Sequence, residues 1–152
     1  MHKVYLSLGT NVGNLKENID TAIKNILATG CISIKVKSKI IKTKPVNFLD
    51  QPDFLNMIVL VETTYKPKEL LNTLKQIEKT MGRKTNISKG PRIIDIDIIM
   101  YDDVVLNTKH LTIPHPQMRE RKFILDLLNQ VNPNLIDPLT FKTVKELREN
   151  YV

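Results

Sequence analysis

Phe54-Leu55-Asn56-Met57-Ile58-Val59-Leu60-Val61-Glu62-Thr63 is apolar almost throughout and reads as a β-strand. At the two-residue period of a strand, Phe54, Asn56, Ile58 and Leu60 fall on one face. Asn56 interrupts that row, and a buried amide needs hydrogen-bond partners. Toward the C-terminus, Pro67 opens a helix with Leu70, Leu71, Leu74, Ile77 and Met81 inward, and Gly82 is its expected stop. Ile93 to Tyr101 is then a further strand, closed by a turn at Asp102-Asp103. Toward the N-terminus, a lysine-rich strand runs from Ser33 to about Thr43 and ends at Pro45. Val4-Tyr5-Leu6-Ser7-Leu8 alternates as a first strand, broken by Gly9-Thr10-Asn11-Val12-Gly13. The helix between these two strands starts with Asn14 and Glu17 spaced as a capping box. It places Leu15, Ile19, Ala22, Ile23, Ile26 and Leu27 on one face and stops at Gly30. Ile124–Val131 and Val144–Arg148 read as short C-terminal helices. The order β-α-β-β-α-β predicts an α+β, ferredoxin-like sheet with helices packed on it and a short C-terminal helical extension.

The 152 residues, 41% hydrophobic and 26% charged, suit one domain with a real core. No apolar run approaches the ~18 residues of a membrane span. The N-terminus turns polar too soon for a signal peptide, so a cytoplasmic protein with no membrane role is expected. Cys31 is the single cysteine, which excludes an internal disulfide and leaves no second cysteine for a zinc cluster. The formal net charge is +7, raising nucleic acid, an anionic small molecule or mere solubility as its meaning. Lys35, Lys37 and Lys39 alternate with Ile34 and Val36, which reads as a lysine row guarding a sheet edge rather than a phosphate stripe. Lys79, Arg83, Lys84, Lys89 and Arg92 fall in one acid-free stretch with Gly82, Gly90 and Pro91, and read as a mobile basic loop.

Chemistry concentrates in Gly90-Pro91-Arg92-Ile93-Ile94-Asp95-Ile96-Asp97-Ile98-Ile99-Met100. Asp95 and Asp97, two apart on a strand, project from the same face. Two carboxylates side by side among apolar neighbours repel each other and lose hydration unless a cation offsets both. Hard oxygen ligands in this number suit Mg²⁺, which keeps waters and completes its shell with substrate phosphates. The bland alternative is an acidic stripe on an edge strand. In Thr112-Ile113-Pro114-His115-Pro116, two prolines hold His115 in a rigid extended segment. Arg119 and Arg121 follow, suited either to phosphate or to surface pairing with Glu120 and Glu149. Phe54, two residues before Asn56, offers a stacking surface beside an amide that matches a heterocycle's edge, although such a residue also serves as plain core. Neither a P-loop nor a G-x-G-x-x-G fingerprint nor a protein-kinase motif occurs.

These pieces in order resemble one family, the 6-hydroxymethyl-7,8-dihydropterin pyrophosphokinases of folate synthesis. The residues that carry the resemblance are Leu8-Gly9-Thr10-Asn11, Gln51-Pro52-Asp53-Phe54-Leu55-Asn56, Ile77-Glu78 with Gly82-Arg83, Gly90-Pro91-Arg92-Ile93-Ile94-Asp95-Ile96-Asp97, and Ile113-Pro114-His115 with Met118, Arg121 and Phe123. The resemblance implies transfer of a pyrophosphoryl unit from ATP to the pterin hydroxymethyl group, with release of AMP. It implies two Mg²⁺ ions on Asp95 and Asp97, and Arg83 and Arg92 gripping phosphates as catalytic loop residues. For the pterin it implies Phe54 and Phe123 as the stacking pair, Asn56 at the ring edge, and backbone near Thr43 and Val46. Glu78, Arg83, Arg92, Ile98, Thr112, His115 and Arg121 would line the nucleotide site. It also implies one pyrophosphokinase domain over residues 1–152, with no fused aldolase or synthase, acting as a monomer on small molecules and not on nucleic acid. One departure stands out. The family loop commonly reads G-R-x-R-x-x-R-W-G-P-R, and here Ser88 and Lys89 replace its Arg-Trp pair, so looser loop closure is expected. Two other readings stay open on the residues alone: a ferredoxin-like RNA-binding module, and a two-metal nucleotide hydrolase.

Overall fold

Strand alternation, helix caps and glycine stops place the elements close to their expected bounds. The computed structural model describes residues 1–45, 50–82 and 93–152. In order they form β1 (His2–Thr10), α1 (Leu15–Ala28), β2 (Ile32–Lys37), β3 (Ile41–Thr43), β4 (Phe54–Thr63), α2 (Pro67–Thr80), β5 (Asp95–Tyr101), a small hairpin of β6 (Leu106–Asn107) and β7 (Thr112–Ile113), α3 (Lys122–Val131) and α4 (Val144–Glu149). The main sheet is antiparallel in the order β2-β4-β1-β5, with β3 also on β4. That is the ferredoxin-like arrangement. Among the described residues no helix is long and apolar enough to cross a membrane.

Local chemistry explains the helix ends. Asn14 caps α1, its side-chain oxygen accepting from the Glu17 amide at 3.2 Å. Pro67 stands at the first turn of α2, where a missing N–H costs nothing. Gly82 follows that helix at a φ of 96°, a left-handed conformation that glycine adopts without a Cβ penalty.

Period 2 along β1 divides the core into two faces. Val4, Leu6 and Leu8 join Met57, Val59, Val61, Ile96 and Ile98 under α1 and α2. Tyr5 points the other way, with Ile58, Ile99 and Met100, against α3 and Val144 of α4. The C-terminal helices therefore form a second layer on the opposite side of the sheet rather than an appendage. They cover only part of that face, and the uncovered part becomes the functional floor.

Three expectations need correction. The lysine strand is not continuous: it breaks at Ser38, whose amide donates to the Ile58 carbonyl at 2.8 Å while its hydroxyl accepts from the Ile58 amide at 2.8 Å. A bulge between Ile34 and Val36 also spoils the lysine alternation, leaving Val36 39% exposed. β2 is nonetheless an edge strand, with Lys35 reaching Glu62 at 3.5 Å. Arg119 pairs with neither Glu120 nor Glu149. It donates at 3.1 Å to Asp137, a fully buried carboxylate that also accepts from the Leu139 amide and the Thr140 hydroxyl.

Candidate active site

Cross-strand register builds the site's floor. Gly9 of β1 lies opposite Asn56 of β4 on one side and Asp95 of β5 on the other. Two residues along, Ser7 lies between Ile58 and Asp97. Directly opposed residues of an antiparallel pair share a face, with Cβ atoms about 4.5–5.5 Å apart. Asn56, Gly9 and Asp95 thus form one row, and Ile58, Ser7 and Asp97 the next. Gly9 is where a side chain would not fit: a Cβ there would stand 3.0 Å from Asn56 Oδ1 and 3.8 Å from the Phe54 ring.

These rows floor an open cavity of about 520 Å³. At its β4 side, the buried Asn56 amide donates through Nδ2 to the Thr43 hydroxyl. The same amide's Oδ1 is left as an acceptor over Gly9, and Phe54 and Phe123 flank this end. Phe123 comes from the first turn of α3. At the β5 side, Asp95 and Asp97 are half-buried. Among the described residues no third His, Cys, Asp or Glu joins them into a metal-binding group. Two carboxylates on one face with open space before them suit a hard cation that draws its remaining ligands from water and phosphate.

The walls are tied to the floor by specific bonds. Glu78 of α2 is buried, and its Oε2 accepts from the Ile96 amide at 2.7 Å, between the two aspartates. The helix thereby sets the height of the carboxylate strand. A bulge in β5 at Ile99, where the register slips between Tyr5 and Leu6, leaves the Ile99 carbonyl to accept from the His115 amide at 2.8 Å. His115 Nδ1 accepts from the Gln117 amide at 3.1 Å, so in the neutral ring the proton sits on Nε2. Burial lowers the His115 pKa below its ordinary value; Asp95 opposes the shift and Arg121 adds to it. Thr10 and Asn11 anchor the chain on either side of the floor. The Thr10 hydroxyl donates to the Ile93 carbonyl, and Asn11 Nδ2 donates to Gln51 at 2.8 Å and to the Pro52 carbonyl at 3.0 Å.

Of the residues singled out from sequence, Thr43, Phe54, Asn56, Glu78, Asp95, Asp97, Ile98, Thr112, His115, Arg121 and Phe123 all border this one cavity. Val46, Arg83 and Arg92 lie outside the described residues. Two of the placements refine the expectation. Glu78 spends a carboxylate oxygen on the Ile96 main chain, and Ile98 packs its side chain in the core while it borders the cavity. Sequence reading missed Ser7 and Gly9 on the floor, and Lys75 and His110 on the walls. Helical spacing held a signal for Lys75, since Leu71, Lys75 and Glu78 stand at i, i+4 and i+7. For Ser7 the signal was a lone hydroxyl in an apolar strand.

Residues 5–133 match the family model for 7,8-dihydro-6-hydroxymethylpterin-pyrophosphokinase, HPPK. The chain belongs to the HPPK family. The matched span takes in all the cavity residues named above and ends before α4. Among relatives, the chain is similar to a 2-amino-4-hydroxy-6-hydroxymethyldihydropteridine pyrophosphokinase of Aquifex aeolicus, 39% identical over 97% of this chain and 91% of that protein. It is also similar to the folic acid synthesis protein fol1 of Schizosaccharomyces pombe, 40% identical over 93% of this chain but only 19% of that longer protein. The chain thus spans about a fifth of the fungal relatives it matches. By structure, it superposes on the Plasmodium falciparum HPPK-DHPS crystallised with pteroate at a TM-score of 0.79, with 18% identity over 99% of this chain and 42% of that one. At that identity the likeness speaks for the HPPK fold.

Proposed function

We propose that this chain transfers the terminal pyrophosphoryl unit of ATP to the hydroxymethyl group of 6-hydroxymethyl-7,8-dihydropterin, giving AMP and the pterin diphosphate, as a step of folate synthesis. The observation that carries this reading is the floor row Asn56-Gly9-Asp95. It puts an amide suited to a heterocycle's edge and a carboxylate suited to a cation on either side of one bare backbone position.

Each residue of the cavity has work in such a reaction. Phe54 and Phe123 offer flat faces for the pterin ring. Because Asn56 donates to Thr43, its Oδ1 accepts from a ring N–H, while the Thr43 hydroxyl keeps its own proton to donate. Asp95 and Asp97 are the residues that would hold Mg²⁺, two ions with the triphosphate. Bound there, the cations would supply positive charge to offset the phosphoryl oxygens. Glu78 holds the aspartate strand in place, Arg121 supplies a planar cationic fork for phosphate, and His115 presents a neutral Nε2–H donor. Arg83 and Arg92, which follow α2 in sequence, would complete the phosphate grip. We also read residues 1–152 as a single cytoplasmic domain, a monomer acting on small molecules and not on nucleic acid. An RNA-binding module would spread several base-stacking aromatics over its two central strands, where this chain sets Phe54 beside Ser7, Gly9 and Asn56 and keeps Tyr5 buried.

Incubation with ATP, Mg²⁺ and the reduced pterin is expected to yield AMP in step with pterin diphosphate, read by chromatography. ADP or inorganic phosphate as the sole nucleotide-side product would refute the assignment. AMP release without pterin would point instead to a hydrolase.

A further inference from the structure

Ser7 is a polar side chain in the wrong company. It is 91% buried (9% exposed) in β1, between the core residues Leu6 and Leu8 in sequence, and it borders the cavity. Its hydroxyl finds no hydrogen-bond partner among the described residues. Its oxygen is not one of the buried atoms left without a partner, so it opens onto the cavity, and its partner is to be sought in what fills that cavity. Register restricts what that partner is. The in-row neighbours of Ser7 are Ile58, which is apolar, and Asp97, which is not. Asn56 and Thr43, which suit the pterin edge, lie one row away across Gly9. Within its row the polar company offered to Ser7 is Asp97 and whatever Asp97 binds.

We propose that the Ser7 hydroxyl is a positioning group for the divalent cation, accepting a hydrogen bond from a water of the cation held at Asp97. This rests on the reading of Asp95 and Asp97 as the cation's ligands. The chemistry favours water as the partner. Mg²⁺ retains several of its waters when it binds through one or two carboxylates. Those waters are strong donors, and a serine hydroxyl is both acceptor and donor. Groups that hydrogen-bond the inner ligands of a metal typically account for about 10- to 100-fold of its affinity.

The test is Mn²⁺ binding, followed by electron paramagnetic resonance, to the protein saturated with α,β-methylene-ATP, which cannot turn over. Ser7→Ala is expected to weaken Mn²⁺ binding about tenfold, while pterin affinity, and nucleotide affinity in EDTA, stay unchanged. Ser7→Cys fills the same space with a weak acceptor and is expected to lose the same tenfold, so a cavity left by alanine does not account for the effect. Unchanged Mn²⁺ affinity in both variants would overturn the proposal. So would a loss confined to the pterin, or an equal loss of nucleotide affinity in EDTA, which would assign the hydroxyl to substrate. If the unaltered protein binds no Mn²⁺ with the nucleotide, or Asp97→Asn binds it equally well, the reading of the aspartates fails as well. Ser7 failing alone leaves that reading standing.

Discussion

Adding one methyl group at Gly9 tests whether the floor of the cavity depends on bare backbone. Gly9 does not sit in the left-handed region, so alanine imposes no backbone strain, and the cost comes from contact alone. The new Cβ would stand 3.0 Å from Asn56 Oδ1, against the 3.4 Å at which ordinary van der Waals contact begins, so about 0.4 Å must be found. Asn56 has little freedom to supply it, being 6% exposed and tied to Thr43. Overpacking of this kind costs about 1–3 kcal/mol. Reduced freedom of the unfolded chain returns about 0.4–1 kcal/mol. The net is a destabilisation of about 1–2 kcal/mol, or a Tm lower by about 2–8 °C in a domain of this size. Catalysis reports the same displacement. A misplaced Asn56 forfeits one hydrogen bond worth about 0.5–1.5 kcal/mol, which raises the KM for pterin about 2- to 10-fold. The KM for ATP is expected to stay the same. Steady-state kinetics with each substrate varied in turn separates the two, and calorimetry gives the Tm. A double-mutant cycle sharpens the result, because in an Asn56→Ala background the added methyl meets no oxygen and its cost should vanish. If Gly9→Ala costs the same stability in both backgrounds, or raises the KM of ATP as much as that of pterin, the role assigned to Gly9 is wrong.

Two further perturbations probe the walls. Glu78→Ala leaves the Ile96 amide without its 2.7 Å acceptor in a buried setting, with an expected loss of about 1–3 kcal/mol. It should also lower kcat, because the strand carrying Asp95 and Asp97 loses its tether; a variant as active and stable as the parent in urea unfolding and turnover would contradict this. His115 has a lowered pKa because burial disfavours its charged form. The unfolded chain therefore takes up that proton more readily than the folded one, and stability should fall as pH drops below the ordinary histidine value of about 6.5 toward the lowered folded value. Imidazole NMR of the metal-free protein should show a His115 midpoint below that ordinary value, and a midpoint above it would refute the placement.

Much of this organisation was legible before any coordinates. β1, α1, β4, α2 and β5 carry long, regular periodicities and clear end signals, and they lie near their expected bounds. Asp95, Asp97 and Asn56 were readable because a polar group in an apolar strand conflicts with burial unless it has a task. What escaped reading is set by tertiary register or by very short elements. β6 and β7 have two residues each, too few to show a period. The Ile99 bulge that frees a carbonyl for His115 has no local signature, and only pairing with β1 reveals it. Gly9 reads locally as a strand breaker, yet β1 continues through it to Thr10, and its meaning comes from Asn56 and Asp95 beside it. The Arg119–Asp137 pair had no local signal, because its two partners stand 18 residues apart.

A crystal structure with α,β-methylene-ATP, Mg²⁺ and 6-hydroxymethyl-7,8-dihydropterin tests the central claim most directly. The account predicts the pterin ring between Phe54 and Phe123 with its edge on Asn56, and Mg²⁺ held by Asp95 and Asp97 against the triphosphate. A pterin bound away from the Asn56-Gly9-Asp95 row, or Mg²⁺ held by other residues, would contradict it.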